Sequence, residues 1–416
     1  MFIYEEGKEY KMTDRDKLIE KLVIKNNARI VLLVMDGIGD IPNKNFGYKT
    51  PLEYAVTPHF DMIAKRSICG RTIPVLPGVT TGSGPGHLGL FGYDPLEYQI
   101  GRGILEASGL DMDIRDGDVA VRCNFASADA EGVITDRRAG RIPSEKCEEL
   151  CALMSESIKD IDGVKVIIKP SMQHRFVVVF RGENLSDALS DSDPLLVGNK
   201  PHEIKAIEKE AEFAANIANK FYQEARKVIG KMKPANSLLM RGFSCKPRMP
   251  TMLERFKLNA VCIAAYPMYR GLAKLVGMNV AEVGKSFEEI FQKYCDLCSR
   301  YEFFFLHVKY TDSSGEDGNF AEKVKVIEAV DKAMPILLKS EPQVLCITGD
   351  HSTPALMKGH SWHHVPVLIS SELCGADEAQ RFTENECNKG GLGIFESKYL
   401  INYLLANALK LSKYGA

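Results

Sequence analysis

Val344-Leu345-Cys346-Ile347-Thr348-Gly349-Asp350-His351 is a short apolar run that leads into a carboxylate and an imidazole. Its first four residues predict a buried strand of a parallel sheet, because such strands are apolar on both faces. Asp350 and His351 follow the strand end, where open α/β sheets build their sites. The two side chains are suitable ligands for Mn²⁺, Zn²⁺ or Mg²⁺. A loop histidine would fit the pattern equally well, so the choice depends on partners elsewhere.

Strands and helices alternate on both sides of this stretch. The alternation predicts a mostly parallel sheet with helices on both faces. In one helix we expect Thr57 as the N-cap, Pro58 as the first residue and Gly70 at the end. The predicted strands are 30–35, 259–263, 303–308, 344–347 and 365–369, and the other predicted helices are 14–26, one from about 269, 319–338 and 396–411.

The middle of the chain has a different character. Strands are predicted over 119–125, 164–168 and 176–180, and helices over 144–157 and 202–231. This pattern predicts a separate α/β lobe inserted into the core domain. The predicted domains are the first half of the core at 1–118, the inserted cap at 119–250 and the second half of the core at 251–416.

The bulk composition excludes several classes of protein. The 416 residues carry a formal net charge of −2, which provides no basic field for nucleic acid. No apolar run reaches the roughly 20 residues that span a bilayer, and the N-terminus lacks the pattern of a signal peptide. The eleven cysteines are expected to be reduced thiols, and Cys295 and Cys298 to be structural. We therefore expect a cytoplasmic protein without a membrane or nucleic-acid partner.

Two further acids follow predicted strands. Asp36 comes directly after 30–35, and Asp312 follows 303–308 with Glu316 and Asp317 close behind. Carboxylates at the carboxyl edge of a parallel sheet are candidate metal ligands. Turn and surface acids would give the same pattern, so neither position decides alone.

Gly82-Ser83-Gly84-Pro85-Gly86-His87 surrounds one serine with small residues, which would let a substrate approach its hydroxyl closely. A flexible loop or a backbone anion site is an alternative. The segment lacks the Gly-Lys-Ser/Thr ending of a Walker A loop, and Pro85 argues against a nucleophile elbow. Together with the carboxylates and histidines, the serine suggests a two-metal centre for phosphoryl transfer.

The order of these motifs resembles the alkaline-phosphatase superfamily and, more closely, the archaeal-type 2,3-bisphosphoglycerate-independent phosphoglycerate mutases. The resemblance covers nearly the whole chain and implies an alkaline-phosphatase-like, mostly parallel α/β sheet with an inserted α/β cap. It rests on Asp36-Gly37, Gly82-Ser83-Gly84-Pro85-Gly86-His87, Asp312-Ser313-Ser314-Gly315, Gly349-Asp350-His351 and His360-Ser361-Trp362-His363, and further on 91–95, 101–103, 122–124, 136–141 and 264–267.

The resemblance also implies roles for single residues. Ser83 would be the nucleophile that becomes phosphoserine. A related bacterial branch has a histidine where this chain has Glu316, so Glu316 is the first candidate and Asp317 the second for completing one ligand set. The implied ions are two Mn²⁺ or Mg²⁺, with Zn²⁺ or Co²⁺ as alternatives, and no 2,3-bisphosphoglycerate is needed. The implied sets are Asp36, Ser83, Asp350 and His351 for one ion and Asp312, Glu316 and His360 for the other.

Arginines are the expected ligands of a phosphoglycerate, because their planar forks match phosphate and carboxylate. Asp136 is a candidate for moving a proton between the substrate hydroxyls. The candidate substrate-binding residues are Arg137, Arg138, Arg141, Arg122, Asn124 and Arg270.

The implied reaction converts 3-phosphoglycerate to 2-phosphoglycerate through the phosphoserine, while the cap keeps water away. A metal-dependent phosphatase and a mutase of another phosphate ester remain alternatives within the superfamily. A catalytically silent metal-binding relative is an alternative outside enzymes, because Glu316 departs from the bacterial pattern.

Overall fold

The computed structural model describes residues 14–415, which fall into two compact units, one of 14–99 and 249–415 and one of 100–248. The inserted lobe was predicted over 119–250. The smaller unit begins earlier because the helix Arg102–Gly109 packs directly against the strand Val119–Ala128: a side chain at Gly103 would collide with the backbone of Ala120.

The strands are numbered in chain order. They are β1 (Ile30–Met35), β2 (Ser67–Ile73), β3 (Val119–Ala128), β4 (Ile134–Asp136), β5 (Asp160–Ile161), β6 (Val164–Pro170), β7 (Arg175–Arg181), β8 (Ser237–Cys245), β9 (Ala260–Ile263), β10 (Asn279–Ala281), β11 (Phe303–Val308), β12 (Val344–Thr348), β13 (Val365–Ser370) and β14 (Gly393–Glu396).

The α-helices are numbered in the same way. They are α1 (Asp14–Leu22), α2 (Pro51–Tyr54), α3 (Pro58–Ala64), α4 (Ser83–Leu90), α5 (Arg102–Gly109), α6 (Ser144–Ser157), α7 (Glu212–Ile229), α8 (Met252–Phe256), α9 (Pro267–Leu275), α10 (Phe287–Leu297), α11 (Tyr310–Glu316), α12 (Phe320–Leu338), α13 (Glu384–Cys387) and α14 (Leu400–Asn407). Among the described residues, none of these helices combines the length and apolarity needed to cross a bilayer.

The larger unit contains an eight-stranded sheet in the order β10-β9-β11-β1-β12-β13-β2-β14. Strands β1, β11 and β12 are buried along their whole length, as their apolar runs predicted. They run parallel, with β1 between the other two. The mostly parallel sheet is therefore confirmed, and the carboxyl ends of its three central strands share one edge.

Strand β13 departs from the parallel pattern and pairs antiparallel with both β12 and β2. A parallel return requires a long crossover, usually a helix. The connection 349–364 contains no helix, so the chain turns back beside β12 instead. This same connection carries the Asp-His pair and His360.

Several helix boundaries differ from the prediction: the helices predicted over 14–26 and 396–411 are the shorter α1 and α14, and two further differences have a clear physical reason. Helix α3 ends at Ala64 rather than Gly70, because 67–73 pairs with β13 as strand β2. The helix predicted over 202–231 begins only at Glu212 as α7. Before it, Ala206 forms a bridge with Leu189, and the side chain of Ile207 is exposed. In both places tertiary pairing overrides the local pattern.

The smaller unit is built on an antiparallel sheet in the order β4-β3-β7-β6-β5, and β8 also pairs antiparallel with β3. Alternate residues of β3, such as Val121 and Phe125, enter a core with α6 and α7. The intervening residues Arg122 and Asn124 point to the opposite face. All eleven cysteines of the protein are free, and most are buried.

Candidate metal centre and arginine patch

Four candidate ligands lie at one edge of the larger sheet. Asp36 directly follows β1, Asp350 and His351 follow β12, and Asp312 lies in α11, which begins just after β11. Since the three strands are parallel neighbours, their carboxyl ends bring these side chains together. All four are buried.

The first group consists of Asp36, Asp350, His351 and Ser83. The Nε2 atom of His351 lies 3.4 Å from Asp36 Oδ1, 3.3 Å from Asp350 Oδ2 and 3.1 Å from Ser83 Oγ. Atoms of the two aspartates and the histidine come close enough to one another to share a metal ion. The geometry of these three side chains is compatible with one shared ion, and the metal-binding roles of the set, with that of Ser83, stay predictions.

Ser83 is the first residue of helix α4 and follows Gly82 in extended conformation. Its segment is therefore not a free loop. A side chain at Gly86 would collide with the backbone of Asp350, so the glycine lets the helix lie against the metal-binding segment. A helix N-terminus favours negative charge, and it directs this serine toward the carboxylates.

The charge balance of the first group fits a divalent cation. Asp36 Oδ1 and Asp350 Oδ2 are buried and find no hydrogen-bond donor within residues 14–415. Both oxygens face His351 Nε2, so when the ring is neutral and protonated on Nδ1, atoms that carry lone pairs point at one another. Buried polar atoms are normally satisfied, and an ion between these atoms would satisfy them. Burial tends to raise the pKa of the Asp350 carboxyl, but His351 and His87 hold it below its ordinary value.

The second group contains Asp312, His360 and again His351, whose ring stacks on that of His360. His360 Nε2 lies 3.4 Å from Asp312 Oδ1 and 3.7 Å from Glu316 Oε1. The Nδ1 atom of His360 donates to the carbonyl oxygen of Thr81 at 2.8 Å. In the neutral ring, the lone pair is therefore on Nε2, which faces the acids.

The pKa values of His360 and Asp312 are shifted in opposite directions. Burial lowers the pKa of the His360 imidazole, but Asp312 and the bond to Thr81 outweigh it and raise the pKa to about 9. Burial raises the pKa of Asp312, whereas contact with His360 and the charge of Lys309 bring it to about 2. Glu316 is exposed, as is Asp317. Of these two acids, Glu316 is the one in contact with His360.

Lys309 bridges the two groups and was not predicted as a site residue. Its Nζ atom lies 3.2 Å from Asp36 Oδ2 and 2.5 Å from Asp312 Oδ2. Burial would lower the pKa of this lysine, but the two carboxylates raise it. Its position three residues before Asp312 in the helix start was a sequence signal for this contact.

The side chains of Tyr269, His307 and His87 contact the aspartates of the first group. The hydroxyl of Tyr269 and Nε2 of His307 contact Asp36 Oδ2, the histidine at 3.2 Å. His87 Nδ1 donates to the carbonyl oxygen of Ser83 at 2.8 Å and lies 3.1 Å from Asp350 Oδ2. The bond between His87 and Ser83 lies within α4, whereas the contacts with Asp36 and Asp350 join elements that are distant along the chain and have no local sequence signal.

The smaller unit contains a patch of arginines on the face of β3 opposite its core. Arg122 lies opposite Arg241 of β8, and Asn124 lies opposite Arg175 of β7, so all four share one face. Arg122 also forms an ion pair with Glu106 at 3.2 Å. Within the described chain, the buried atoms Asn124 Oδ1, Arg175 Nε and Arg241 Nε lack hydrogen-bond partners. The patch is suited to an anion.

The pKa of the His174 imidazole reflects the positive charge in this region. Burial and the charges of Arg175, Arg138, Arg122 and Arg141 lower its pKa to about 4. The predicted residues Arg122, Arg138 and Arg141 are thus close enough to act on one imidazole. Arg175 belongs with them and was missed.

The remaining predicted residues have other partners. Arg137 forms two bonds with Asp193, at 2.9 and 2.7 Å. The carboxylate of Asp136 accepts from the backbone of Arg138 and Gly140, and so shapes its own loop. In the larger unit, the guanidinium of Arg270 is bound to Glu282. These side chains are engaged within the protein.

Comparisons with known proteins give the family. Residues 64–236 match the profile of a family described as 2,3-bisphosphoglycerate-independent phosphoglycerate mutase. Relatives named probable 2,3-bisphosphoglycerate-independent phosphoglycerate mutase include one from Aquifex aeolicus, 51% identical over 96% of this chain and 100% of its own, and one from Thermosipho africanus, 49% identical over 97% and 100%.

Solved structures agree with the sequence relatives. A cofactor-independent phosphoglycerate mutase from Thermoplasma acidophilum is 32% identical with a TM-score of 0.72, covering 92% of this chain and 100% of its own. A protein from Pyrococcus horikoshii is 30% identical with a TM-score of 0.81, covering 94% and 99%. By full-length identity to its relatives, the chain belongs to the family of 2,3-bisphosphoglycerate-independent phosphoglycerate mutases.

Proposed function

We propose that this chain interconverts 3-phosphoglycerate and 2-phosphoglycerate by passing the phosphoryl group through Ser83, without 2,3-bisphosphoglycerate. The observation that carries the proposal is the position of the Ser83 hydroxyl. It lies at a helix N-terminus, 3.1 Å from His351 Nε2 and beside two carboxylates with unsatisfied oxygens. The family name of the full-length relatives supplies the substrate.

Two divalent ions are proposed to complete the site. When bound, such ions lower the pKa of a serine hydroxyl and neutralise a transferring phosphoryl group. Carboxylate oxygens predominate among the ligands, which favours Mn²⁺ or Mg²⁺, while Zn²⁺ and Co²⁺ suit the imidazoles. The proposed ligands are Asp36, Ser83, Asp350 and His351 for one ion and Asp312, Glu316 and His360 for the other.

The proposed reaction has two transfers. Ser83 loses its proton and attacks phosphorus, the bond from phosphorus to the C3 oxygen breaks, and that oxygen takes up a proton. The C2 hydroxyl of the retained glycerate then loses its proton and attacks the phosphoserine, the bond from phosphorus to Ser83 Oγ breaks, and Ser83 takes up a proton. In this proposal the N-terminus of α4 stabilises negative charge at Ser83 during both steps, and the ammonium of Lys309, 3.2 Å from Asp36 Oδ2, adds positive charge to the site.

The arginine patch is proposed to bind the anionic groups of the substrate. Arg122, Arg175 and Arg241 of the patch supply charge, and Asn124 supplies a buried amide, while Arg138 and Arg141 add positive charge nearby. Guanidinium forks recognise phosphate and carboxylate in pairs of bonds. Arg137 and Arg270 are bound to Asp193 and Glu282, so their predicted contacts with substrate stay predictions, as does proton transfer by Asp136.

Two further parts of the account stay predictions. The smaller unit is proposed as the cap that limits hydrolysis of the phosphoserine, since a mutase must return the phosphoryl group to glycerate rather than to water. The free cysteines support the expected cytoplasmic location.

The test is to incubate the chelator-treated protein with 3-phosphoglycerate, with and without Mn²⁺, and to measure 2-phosphoglycerate and inorganic phosphate. We expect metal-dependent formation of 2-phosphoglycerate with little phosphate. Formation of phosphate alone would identify a phosphatase instead. Full activity without divalent ions would contradict the proposed site.

A further inference from the structure

Thr353 touches both ligand groups at once. Its side chain is fully buried, two residues after His351. Its Oγ1 atom lies 2.6 Å from Asp312 Oδ1 and 3.0 Å from His351 Nδ1. The residue therefore joins a proposed ligand of one ion to a proposed ligand of the other.

The directions of these two hydrogen bonds are fixed by chemistry. An ionised carboxylate only accepts, so the Thr353 hydroxyl donates its one proton to Asp312. Its lone pairs are then available to accept from His351, which places the ring proton on Nδ1. In the neutral imidazole, Nε2 therefore carries the lone pair, and Nε2 is the atom that faces Ser83, Asp36 and Asp350.

We propose that Thr353 is a positioning residue that fixes the tautomer of His351 and the orientation of the Asp312 carboxylate together. The inference rests on the proposed function, because it concerns residues assigned there to metal ions. Partners of this kind commonly hold ligating histidines and carboxylates. Here a single hydroxyl forms hydrogen bonds with two proposed ligands, Asp312 and His351.

The backbone of Thr353 is itself held in place. Its N–H lies 3.0 Å from the carbonyl oxygen of Gly39, and its carbonyl oxygen accepts from Lys323 Nζ at 2.9 Å. Lys323 is fully buried and also binds Asp40 Oδ2 and Gly37 O, at 2.8 and 2.9 Å. The hydroxyl is thus placed relative to the loop that follows Asp36.

Glycines leave room for this arrangement. Side chains at Gly37 or Gly315 would collide with Thr353. Gly37 also has φ near +62°, a conformation that other residues rarely adopt. Thr353 is therefore packed directly beneath the two segments that carry Asp36 and Asp312, and its hydroxyl has little freedom to move.

Replacing the hydroxyl should affect both ions. Thr353→Val keeps the shape but leaves Asp312 without its donor and His351 Nδ1–H without its acceptor. Changes to such partners typically lower metal affinity by roughly 10- to 100-fold. Thr353→Ser keeps the hydroxyl and should bind both ions as the parent does. Thr348→Val is the matched control, because it removes an equally buried hydroxyl that donates to Pro366 O.

The measurement is calorimetric titration of the metal-free proteins with Mn²⁺, with circular dichroism as the check of folding. We expect Thr353→Val alone to weaken both binding events. A folded Thr353→Val protein that binds both ions as tightly as the parent, or weakens only one, would overturn the proposal.

A second measurement does not depend on that variant. Nitrogen NMR of the metal-free, histidine-labelled parent protein reports which nitrogen of neutral His351 carries the proton, with His351→Asn to assign the signal. A proton on Nδ1 supports the proposal, and a proton on Nε2 overturns it. Because this readout needs no metal, it separates a failure of the Thr353 inference from a failure of the proposed metal chemistry.

Discussion

Replacing Glu316 with glutamine should weaken one of the two proposed metal ions and leave the other unchanged. The carboxylate of Glu316 lies 3.7 Å from Nε2 of His360, which belongs to the second group only. The substitution keeps the size of the side chain and removes its charge. Because Glu316 is exposed, the change should not unfold the protein.

The size of the effect follows from the distance and the exposure. Two unit charges about 4 Å apart gain about 1 kcal/mol in water and about 4 kcal/mol at an effective dielectric near 20, and a divalent ion doubles both values. The Glu316 side chain is 55% exposed, so the lower figure applies. The expected loss of about 2 kcal/mol corresponds to a roughly 30-fold weaker Kd.

The assay is calorimetric titration of the metal-free protein with Mn²⁺. Asp317→Asn is the matched control, because it removes the next exposed acid of the same segment. Glu316→His should retain both ions and shift preference toward Zn²⁺. If Glu316→Gln binds both ions like the parent while Asp317→Asn loses one, Asp317 completes the group and the assignment of Glu316 is refuted.

Two further predictions concern the arginine patch and pH. Arg122→Gln should raise KM for 3-phosphoglycerate roughly 10- to 100-fold, as expected for a lost charge-assisted hydrogen bond. The control is Arg115→Gln, which changes an exposed arginine paired with Asp113, and equal KM values would contradict the patch. Burial raises the pKa of Glu384 to about 7 from 4.5, although the Thr50 hydroxyl opposes the shift. Between pH 4.5 and about 7, the folded protein therefore keeps a proton on Glu384, whereas the unfolded chain has already released it. The free energy of unfolding should fall as the pH rises through this window. Glu384→Gln should remove this pH-dependent change in the free energy of unfolding, which amounts to up to about 3 kcal/mol and is measured by urea unfolding at several pH values. An unchanged pH dependence would argue against Glu384 as its cause.

The grouping of the strand-end acids could be predicted from the sequence. Asp36, Asp312 and Asp350 each follow a strand that is apolar on both faces. Such strands lie side by side in a parallel sheet, and their carboxyl ends share an edge. The pattern therefore predicts that the three acids lie at one edge of the sheet, whereas their proximity follows from β1 lying between β11 and β12.

Contacts that depend on register could not be predicted in this way. Arg175 and Arg241 join the patch only because they lie opposite Asn124 and Arg122 in antiparallel pairs. A shift by one residue would turn them to the other face. Thr353 meets Asp312 across 41 positions of sequence, and no local pattern encodes that distance.

Helix α4 shows the same limit for local structure. Glycine and proline within Ser83–Leu90 disfavour a helix. The helix forms because its glycines permit close packing, with Gly86 against the backbone of Asp350 and Gly89 beside Ser397. The residues that weaken the helix in isolation are those that place Ser83 beside the carboxylates.

The central claim is that the phosphoryl group passes through Ser83. The most direct test is to mix the metal-loaded protein with radiolabelled 3-phosphoglycerate, quench it within one turnover and map the label by peptide digestion. We predict label on the peptide that contains Ser83, formed before 2-phosphoglycerate, and neither label nor turnover in Ser83→Ala. Turnover without label on Ser83, or near-normal turnover of Ser83→Ala, would contradict the account.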